Sequence, residues 1–305
     1  MAQHRALQKS SLDPSVLDQL TQLGLVARTV VEGFLAGGHR SPHRGSSIEF
    51  AQHRPYVPGD DPRFLDEKIY AKTGRLVVKE FIEETNFACH LLVDTSASMA
   101  FSSGKRSKLD YARWAAAALA YLVLQQRDTA GLVLFDEEVR SKVPPANGAA
   151  QAASIFSQLE QAQGQGETAV GGILDWLGSR LPNKGIICVF SDFFDEPERI
   201  VEGARRLRVA GHEPILFPVL DPQELSFDYS GHLRLDGLEG ADRLKIDPRS
   251  LREAYLEEIR AHFEQLESKA RGMGVDVVRL NTGEPLDVVL STYLARRLAR
   301  RRERA

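Results

Sequence analysis

The chain has 305 residues, enough to bury a full core as one large domain or two ordinary ones. Its 39 basic and 42 acidic residues leave a formal net charge of −3, which excludes a global electrostatic pull toward nucleic acid or acidic membranes. Its 43% hydrophobic content is that of an ordinary globular protein. The two cysteines, Cys89 and Cys188, each lie inside an apolar run, as buried reduced thiols do, and have neither a disulfide framework nor a zinc spacing around them. The longest apolar stretch, from Trp114 to Leu124, is too short to span a bilayer, and Met1 to Ser11 lacks the apolar segment of a signal peptide. The expectation is a cytoplasmic protein with no membrane span.

Taken in order, Asp13-Pro14 marks a helix start, and Val16, Leu17, Leu20 and Leu23 follow at helical spacing. A second amphipathic helix from Leu25 to about Leu35 stops at Gly37-Gly38. Residues 38–80 are rich in Gly, Pro, His and charge, with short strand-like pieces at 48–50 and 76–81. His39, His43 and His53 form no close pair and have no cysteine partner, so they read as loop histidines and not as zinc ligands. Pro58-Gly59-Asp60-Asp61-Pro62 is turn chemistry. A long irregular segment of this kind is more often functional than decorative. Composition thus divides the chain into an N-terminal extension, 1–80, and a main domain, 81–302.

From residue 86 strand and helix alternate. A strand at 87–93 is followed by an alanine-rich helix at about 108–126, a strand at 131–135 and a helix at 149–162. Next come the glycine-rich loop Gly164-Gln165-Gly166-Glu167-Thr168, a helix at 169–181 and a strand at 186–190 that ends in Ser191-Asp192. A helix at 198–210 and a strand at 215–219 complete the repeat. This βαβ rhythm predicts an α/β fold, a doubly wound and mostly parallel sheet covered by helices on both faces. Beyond it, the pattern predicts a small β-hairpin within 227–246, a long amphipathic helix at 248–271, a strand at 275–280 and a last helix at about 285–300. The terminal Arg296, Arg297, Arg300, Arg301, Arg302 and Arg304 have no aromatic residues between them, so they read as charges that complement a helix C-terminus.

Chemistry concentrates where the first of these strands ends, in Leu91-Leu92-Val93-Asp94-Thr95-Ser96-Ala97-Ser98-Met99. Asp94, Ser96 and Ser98 form an oxygen-only set at a strand end, suited to a hard divalent cation such as Mg²⁺, or Mn²⁺ or Ca²⁺. Open α/β sheets bind ligands at the carboxyl ends of their strands, and the same topology brings Thr168 and Asp192 to that edge. Two carboxylates balance a divalent charge, neutral hydroxyls complete the shell, and an open position is left for the carboxylate of a partner. No nucleophile–base pair accompanies the set, so the expectation is a binding module and not an enzyme.

Two enzymatic readings compete. A Mg²⁺-dependent phosphatase-like hydrolase would use Asp94 as nucleophile, and Ser191-Asp192-Phe193-Phe194-Asp195 superficially resembles its acidic motif. Such an enzyme needs a second aspartate two residues on as general acid, and here that residue is Ser96. An aspartic protease needs glycine at that position and an all-β fold. Asp195 and Glu196 read first as a helix N-terminal charge pair. Gly104-Lys105-Arg106 lacks both the leading glycine and the Ser/Thr of an ATP-binding loop.

The pattern D-x-S-x-S…T…D resembles the metal-ion-dependent adhesion site of von Willebrand factor A domains. In that family, the resemblance implies, the two serines and the threonine contact the metal and the aspartates act largely through water. The run GHRSPHRGSSIEF…HRPYVPGDDPR…LDEK…AKTGRLVVKEFIEETN, with VLDPQEL and KIDPRSLREAYLEEIRAHFEQL further on, resembles the bacterial family called domain of unknown function 58 over about residues 25–298. That family's resemblance to accessory partners of MoxR-type AAA+ ATPases implies an adaptor role in assembly or chaperone-like maturation. One position departs from the family pattern: a tryptophan is usual after Leu65-Asp66, and here Glu67 replaces that aromatic anchor with a charge.

Overall fold

The computed structural model describes residues 49–58, 60, 65–82, 88–178, 180–181, 184–229, 233–235, 244–246, 248–290 and 292–293. The two expected N-terminal helices, His39, His43, the hairpin turn and the terminal arginines lie outside the described residues. The described residues fall into two compact units, one within 42–86 and the other from 88 onward.

In the smaller unit, β1 (Glu49–Pro55) and β2 (Val77–Ile82) pair antiparallel, with a register shift between Phe50 and Gln52. The strand read from sequence near Leu76 therefore runs through the 80/81 boundary drawn from composition. Helix α1 (Glu67–Thr73) is capped by Asp66, whose Oδ1 accepts the Lys68 and Ile69 amides at 3.0 and 3.2 Å. The other oxygen, Asp66 Oδ2, lies 3.0 Å from His53 Nε2, so His53 works as a hydrogen-bonding residue of the fold. Glu67, exposed, opens this helix, and an acid in the first turn suits the macrodipole. The helix closes on Gly74 at φ 66°, a left-handed cap that glycine adopts without strain. The Asp60 carboxylate accepts both terminal nitrogens of Arg54 at 2.7 Å and the Val57 amide at 2.8 Å, which makes the Pro58 turn a closed structural element.

The larger unit is a mixed α/β structure. Its strands are β3 (Ala88–Asp94), β4 (Thr129–Phe135), β5 (Val139–Ala146), β6 (Gly185–Ser191) and β7 (Glu213–Leu220), with the two-residue strands β10 (Asp276–Val277) and β11 (Leu280–Asn281). Their order is β10-β7-β6-β3-β4-β5, with β11 also on β7, and only β5 runs antiparallel. The single strand expected at 275–280 is two short pairings in one register with β7, joined by a bond from the Val278 amide to the Leu216 carbonyl. Strand β5 was not read from the sequence. Its Pro144-Pro145 pair and alternating exposure belong to an edge strand, where missing amide donors face away from the ladder. The short antiparallel strands β8 (Leu233–Leu235) and β9 (Leu244–Ile246) form the expected hairpin ladder.

Helices α2 (Lys108–Gln125) and α3 (Ala149–Gln161) cover one face of the sheet. On the other lie α4 (Val170–Gly178), α5 (Pro197–Val209) and α7 (Pro248–Gly272), and the short α6 (Pro222–Ser226) follows β7. Strand side chains alternate between two cores. Leu91, Val93, Cys188 and Phe190 face α2, whereas Leu92, Val133, Ile187 and Val189 face α4, α5 and α7. All seven residues of β3 are buried, and each large aliphatic side chain among them contributes about 1.5–3 kcal/mol. Helix α2 can lie directly on the sheet because Ala112, Ala115, Ala116, Ala117 and Ala120 present only methyl groups and are wholly buried.

Chain direction decides where the site falls. From β3 the chain moves out through β4 to β5, then returns across to β6 and continues to β7 on the opposite side. The crevice between the carboxyl ends of β3 and β6 is therefore the topological switch point, the place where open α/β sheets bind ligands. Asp94 ends β3, and Asp192 follows β6 directly.

Candidate functional site

Asp94 is wholly buried, and each of its oxygens is engaged. Oδ1 accepts the Ser96 amide at 2.8 Å, a local turn bond that aspartate forms readily. Oδ2 accepts the Thr168 hydroxyl at 2.8 Å and the Ser191 hydroxyl at 2.5 Å. Ser96 precedes the 3-10 turn Ala97–Ala100 but does not cap it; its hydroxyl lies 3.1 Å from that of Ser98. The side chains of Asp94, Ser96 and Asp192 are buried, while Ser98 and Thr168 are partly open to solvent. Ser98 and Thr168 thus mark the accessible side of the cluster.

Backbone bonds fix the Thr168 loop against the β3 loop. The Ala97 amide donates to the Gly166 carbonyl at 2.9 Å, and the Gln165 amide to the Thr95 carbonyl at 2.7 Å. Gly166 holds φ 76°, and a Cβ on Gly164 would lie 2.9 Å from that of Ala100. Both glycines are needed for this approach, which delivers Thr168 to Asp94.

Past β6, the Phe193 amide donates to Ser191 Oγ at 3.1 Å, and Phe193 is forced to φ 56°. A buried aromatic residue in the left-handed region carries a strain of about 1–2 kcal/mol. His262 Nε2, on α7, holds the Phe193 carbonyl at 2.9 Å. Phe194 then emerges at the rim, 40% exposed.

The structure brings Asp192 to the cluster but gives its carboxylate a protein partner that sequence reading missed. Lys108 Nζ, at the start of α2, donates to Asp192 Oδ2 at 2.8 Å and to Glu224 Oε1 at 2.6 Å, with only 1% of the lysine side chain exposed. Burial works against the ammonium charge, but Asp192 and Glu224 outweigh it and hold Lys108 above its ordinary range. Burial raises Glu224 above the usual carboxylate range, and Lys108 pulls it partly back. Asp94 is raised to about 6, first by burial and then by the nearby Asp192 charge, against the pull of its Ser191, Ser96 and Thr168 hydrogen bonds.

Of the five residues expected from sequence, Asp94, Ser96, Ser98 and Thr168 are linked by hydrogen bonds, and Asp192 joins them through its field on Asp94. Ser191, Lys108 and Glu224 are additions. Ser191 was legible as a hydroxyl beside Asp192, whereas Lys108 and Glu224 had no local signal. Asp195 lies 3.5 Å from the Gly171 amide in the first turn of α4 and takes no part in the cluster. Among the described residues no group of three or more His, Cys, Asp or Glu side chains gathers to hold a metal. This cluster is of another kind, two carboxylates with four hydroxyls.

Fold and site together define an α/β protein with a buried carboxylate–hydroxyl cluster at the switch point of a mostly parallel sheet. The chain belongs to the family described as "Protein of unknown function DUF58", whose model matches residues 52–265. It is 28% identical over 279 residues to "Uncharacterized protein Rv1480" of Mycobacterium tuberculosis and to "Uncharacterized protein Mb1516" of Mycobacterium bovis, spanning 88% of this chain and 86% of each relative. Among solved structures it is similar to the conserved hypothetical protein BatB of Bacteroides thetaiotaomicron, with 16% identity and a TM-score of 0.47 over 69% of this chain and 98% of that one. An aerotolerance-related membrane protein of Bacteroides fragilis gives 14% identity and a TM-score of 0.43 over 69% and 97%. No helix among the described residues is long and apolar enough to cross a membrane.

Proposed function

We propose that this chain is a metal-dependent protein-binding module of the von Willebrand factor A type, in which Asp94, Ser96, Ser98, Thr168 and Asp192 hold Mg²⁺ or a similar divalent cation. The observation that carries the reading is the Thr168–Asp94–Ser96–Ser98 cluster, whose donors are all oxygens and whose Ser98 and Thr168 residues are partly open to solvent. Hard cations prefer such donors, and a buried carboxylate raised to about 6 is a group that a cation would stabilise in its charged form. The bound ion would supply one electropositive coordination position, and the acidic side chain of a protein partner would fill it. Asp192, bonded to Lys108, acts on the ion through its field.

Ser96 argues against hydrolysis. A phosphatase acting through Asp94 needs a proton donor at that position, and Ser96 spends its amide on Asp94 and its hydroxyl on Ser98. The partner that the family resemblance favours is a MoxR-type AAA+ ATPase or its client, with this chain as its adaptor.

Binding of purified chain to the MoxR-type ATPase of the same cells, measured with Mg²⁺ and with chelator, tests the reading. Binding that is lost both in chelator and in Asp94→Ala supports it. Equal binding in all three conditions, or Mg²⁺-dependent phosphomonoester turnover that vanishes in Asp94→Asn, overturns it.

A further inference from the structure

We infer that Lys108 is a built-in counter-cation, which holds the carboxylates of the candidate site in place when no metal ion is bound and sets how strongly a metal ion is taken up. The first half stands on geometry alone; the second rests on the metal-binding reading above.

Three carboxylates converge on this part of the fold. Asp94 and Asp192 are wholly buried, and the Glu224 side chain is 12% exposed. Lys108 is the cation bonded to two of them, and its Nζ also lies 5.1 Å from the Phe194 ring and 5.8 Å from the Phe101 ring. Without Lys108, Asp192 and Glu224 would lose their shared cation, and a buried carboxylate stripped of its partner is strongly destabilising.

Lys108 also ties the site to the segments around it. Glu224 Oε2 accepts the Asp221 amide at 2.8 Å, closing the capping box of α6. Asp221 in turn accepts the Ser103 amide at 3.0 Å and the Ser103 hydroxyl. Every member of the chain Asp192–Lys108–Glu224–Asp221–Ser103 is held at two points or more, so Asp192 cannot swing toward an incoming ion without releasing Lys108. Asp192 would therefore act on a bound cation while held by Lys108, whose fixed ammonium would oppose that cation's charge. Lys108 makes the empty site stable and the loaded site exchangeable.

Thermal unfolding of the full chain separates these roles. In chelator, Lys108→Met should melt roughly 10 °C below wild type, because it strips two buried carboxylates of their partner. Lys108→Met with Glu224→Gln, which removes one of those charges at equal shape, should recover at least half of the loss. Saturating Mn²⁺ should raise the melting point of Lys108→Met more than that of wild type, with a midpoint about ten-fold lower in metal concentration. Lys108→Arg should stay near wild type in chelator.

A Lys108→Met variant as stable as wild type in chelator, or a double variant no better than the single, overturns the counter-cation role. If the single variant does not fold, folding of the double variant upholds the role and failure of both overturns it. Wild type that takes up no Mn²⁺ refutes the metal reading of the site, and the chelator comparison, which contains no metal, still decides what Lys108 does.

Discussion

The Thr168 hydroxyl donates to Asp94 Oδ2 at 2.8 Å, joining the loop before α4 to the end of β3 across 74 residues of chain. That single bond joins a short strand-end motif to a distant loop in one hydrogen-bonded cluster. Thr168→Ala should cost about 1 kcal/mol of stability and weaken Mn²⁺ binding by about ten-fold or more, while Thr168→Ser keeps both. Calorimetric titration with Mn²⁺ alongside denaturant melts checks this. Unchanged Mn²⁺ affinity in Thr168→Ala would remove Thr168 from the ligand set.

Proton linkage at Asp94 predicts two opposite pH trends. The group titrates near 3.8 when unfolded and at about 6 in the native chain, so the native state holds the extra proton between those values. Its contribution to metal-free stability is therefore present at low pH and is lost as pH rises through 6. Under the proposed function metal uptake would need the carboxylate, so Mn²⁺ affinity should be full above pH 6 and fall about ten-fold per unit below it. Asp94→Asn should abolish Mn²⁺ binding and leave the metal-free melting point at pH 7 equal to wild type or higher. A fall in that melting point would show that the charge itself stabilises the fold.

His90 sets an acid limit from within the sheet. It is 6% exposed on β3, and burial lowers it to about 4, with His212 and Lys142 adding to the effect. The unfolded imidazole titrates at 6.5, so between 6.5 and about 4 the unfolded chain binds the extra proton. Stability from keeping His90 neutral is full above 6.5 and is lost as pH falls, by about 1–3 kcal/mol. Urea melts of wild type and His90→Leu across this range should diverge, with the variant losing less. Parallel curves would exclude His90 as the source.

Two glycines should respond in opposite directions to the same added methyl. A Cβ at Gly185 would sit 2.2 Å from the Ala88 carbonyl oxygen of the neighbouring strand, so Gly185→Ala should lose about 3 kcal/mol or more. Gly172 lies within α4 with nothing within 4 Å of its Cβ position, so Gly172→Ala should gain up to about 1 kcal/mol from helix propensity. Denaturant midpoints of the two variants give the comparison directly. A stable Gly185→Ala would contradict the β3–β6 register.

Local chemistry made much of this protein legible. The apolar runs that became β3, β4, β6 and β7 each read as buried strands because hydrophobic burial acts residue by residue, whatever the fold. The alanines of α2 announced a close helix–sheet contact. Strand β5 escaped because Val139–Ala146 alternates weakly and carries two prolines, features that make sense only at a sheet edge. The expected strand at 275–280 broke into two pairings because the edge partner of β7 is set by contact with β7 and not by its own apolar content.

The five residues Asp94, Ser96, Ser98, Thr168 and Asp192 were in view in the sequence alone, because strand ends and glycine-rich loops mark themselves locally and α/β topology gathers them at one edge. The sequence could not show that Asp192 is held by Lys108, 84 residues away, or that Lys108 is shared with Glu224, 116 residues away. A lysine at the start of a helix and a glutamate in a short turn carry no sign of burial in their own neighbourhoods. Tertiary structure decided their role, since only the fold brings Lys108 and Glu224 to Asp192 and, with little water left around them, obliges them to satisfy one another.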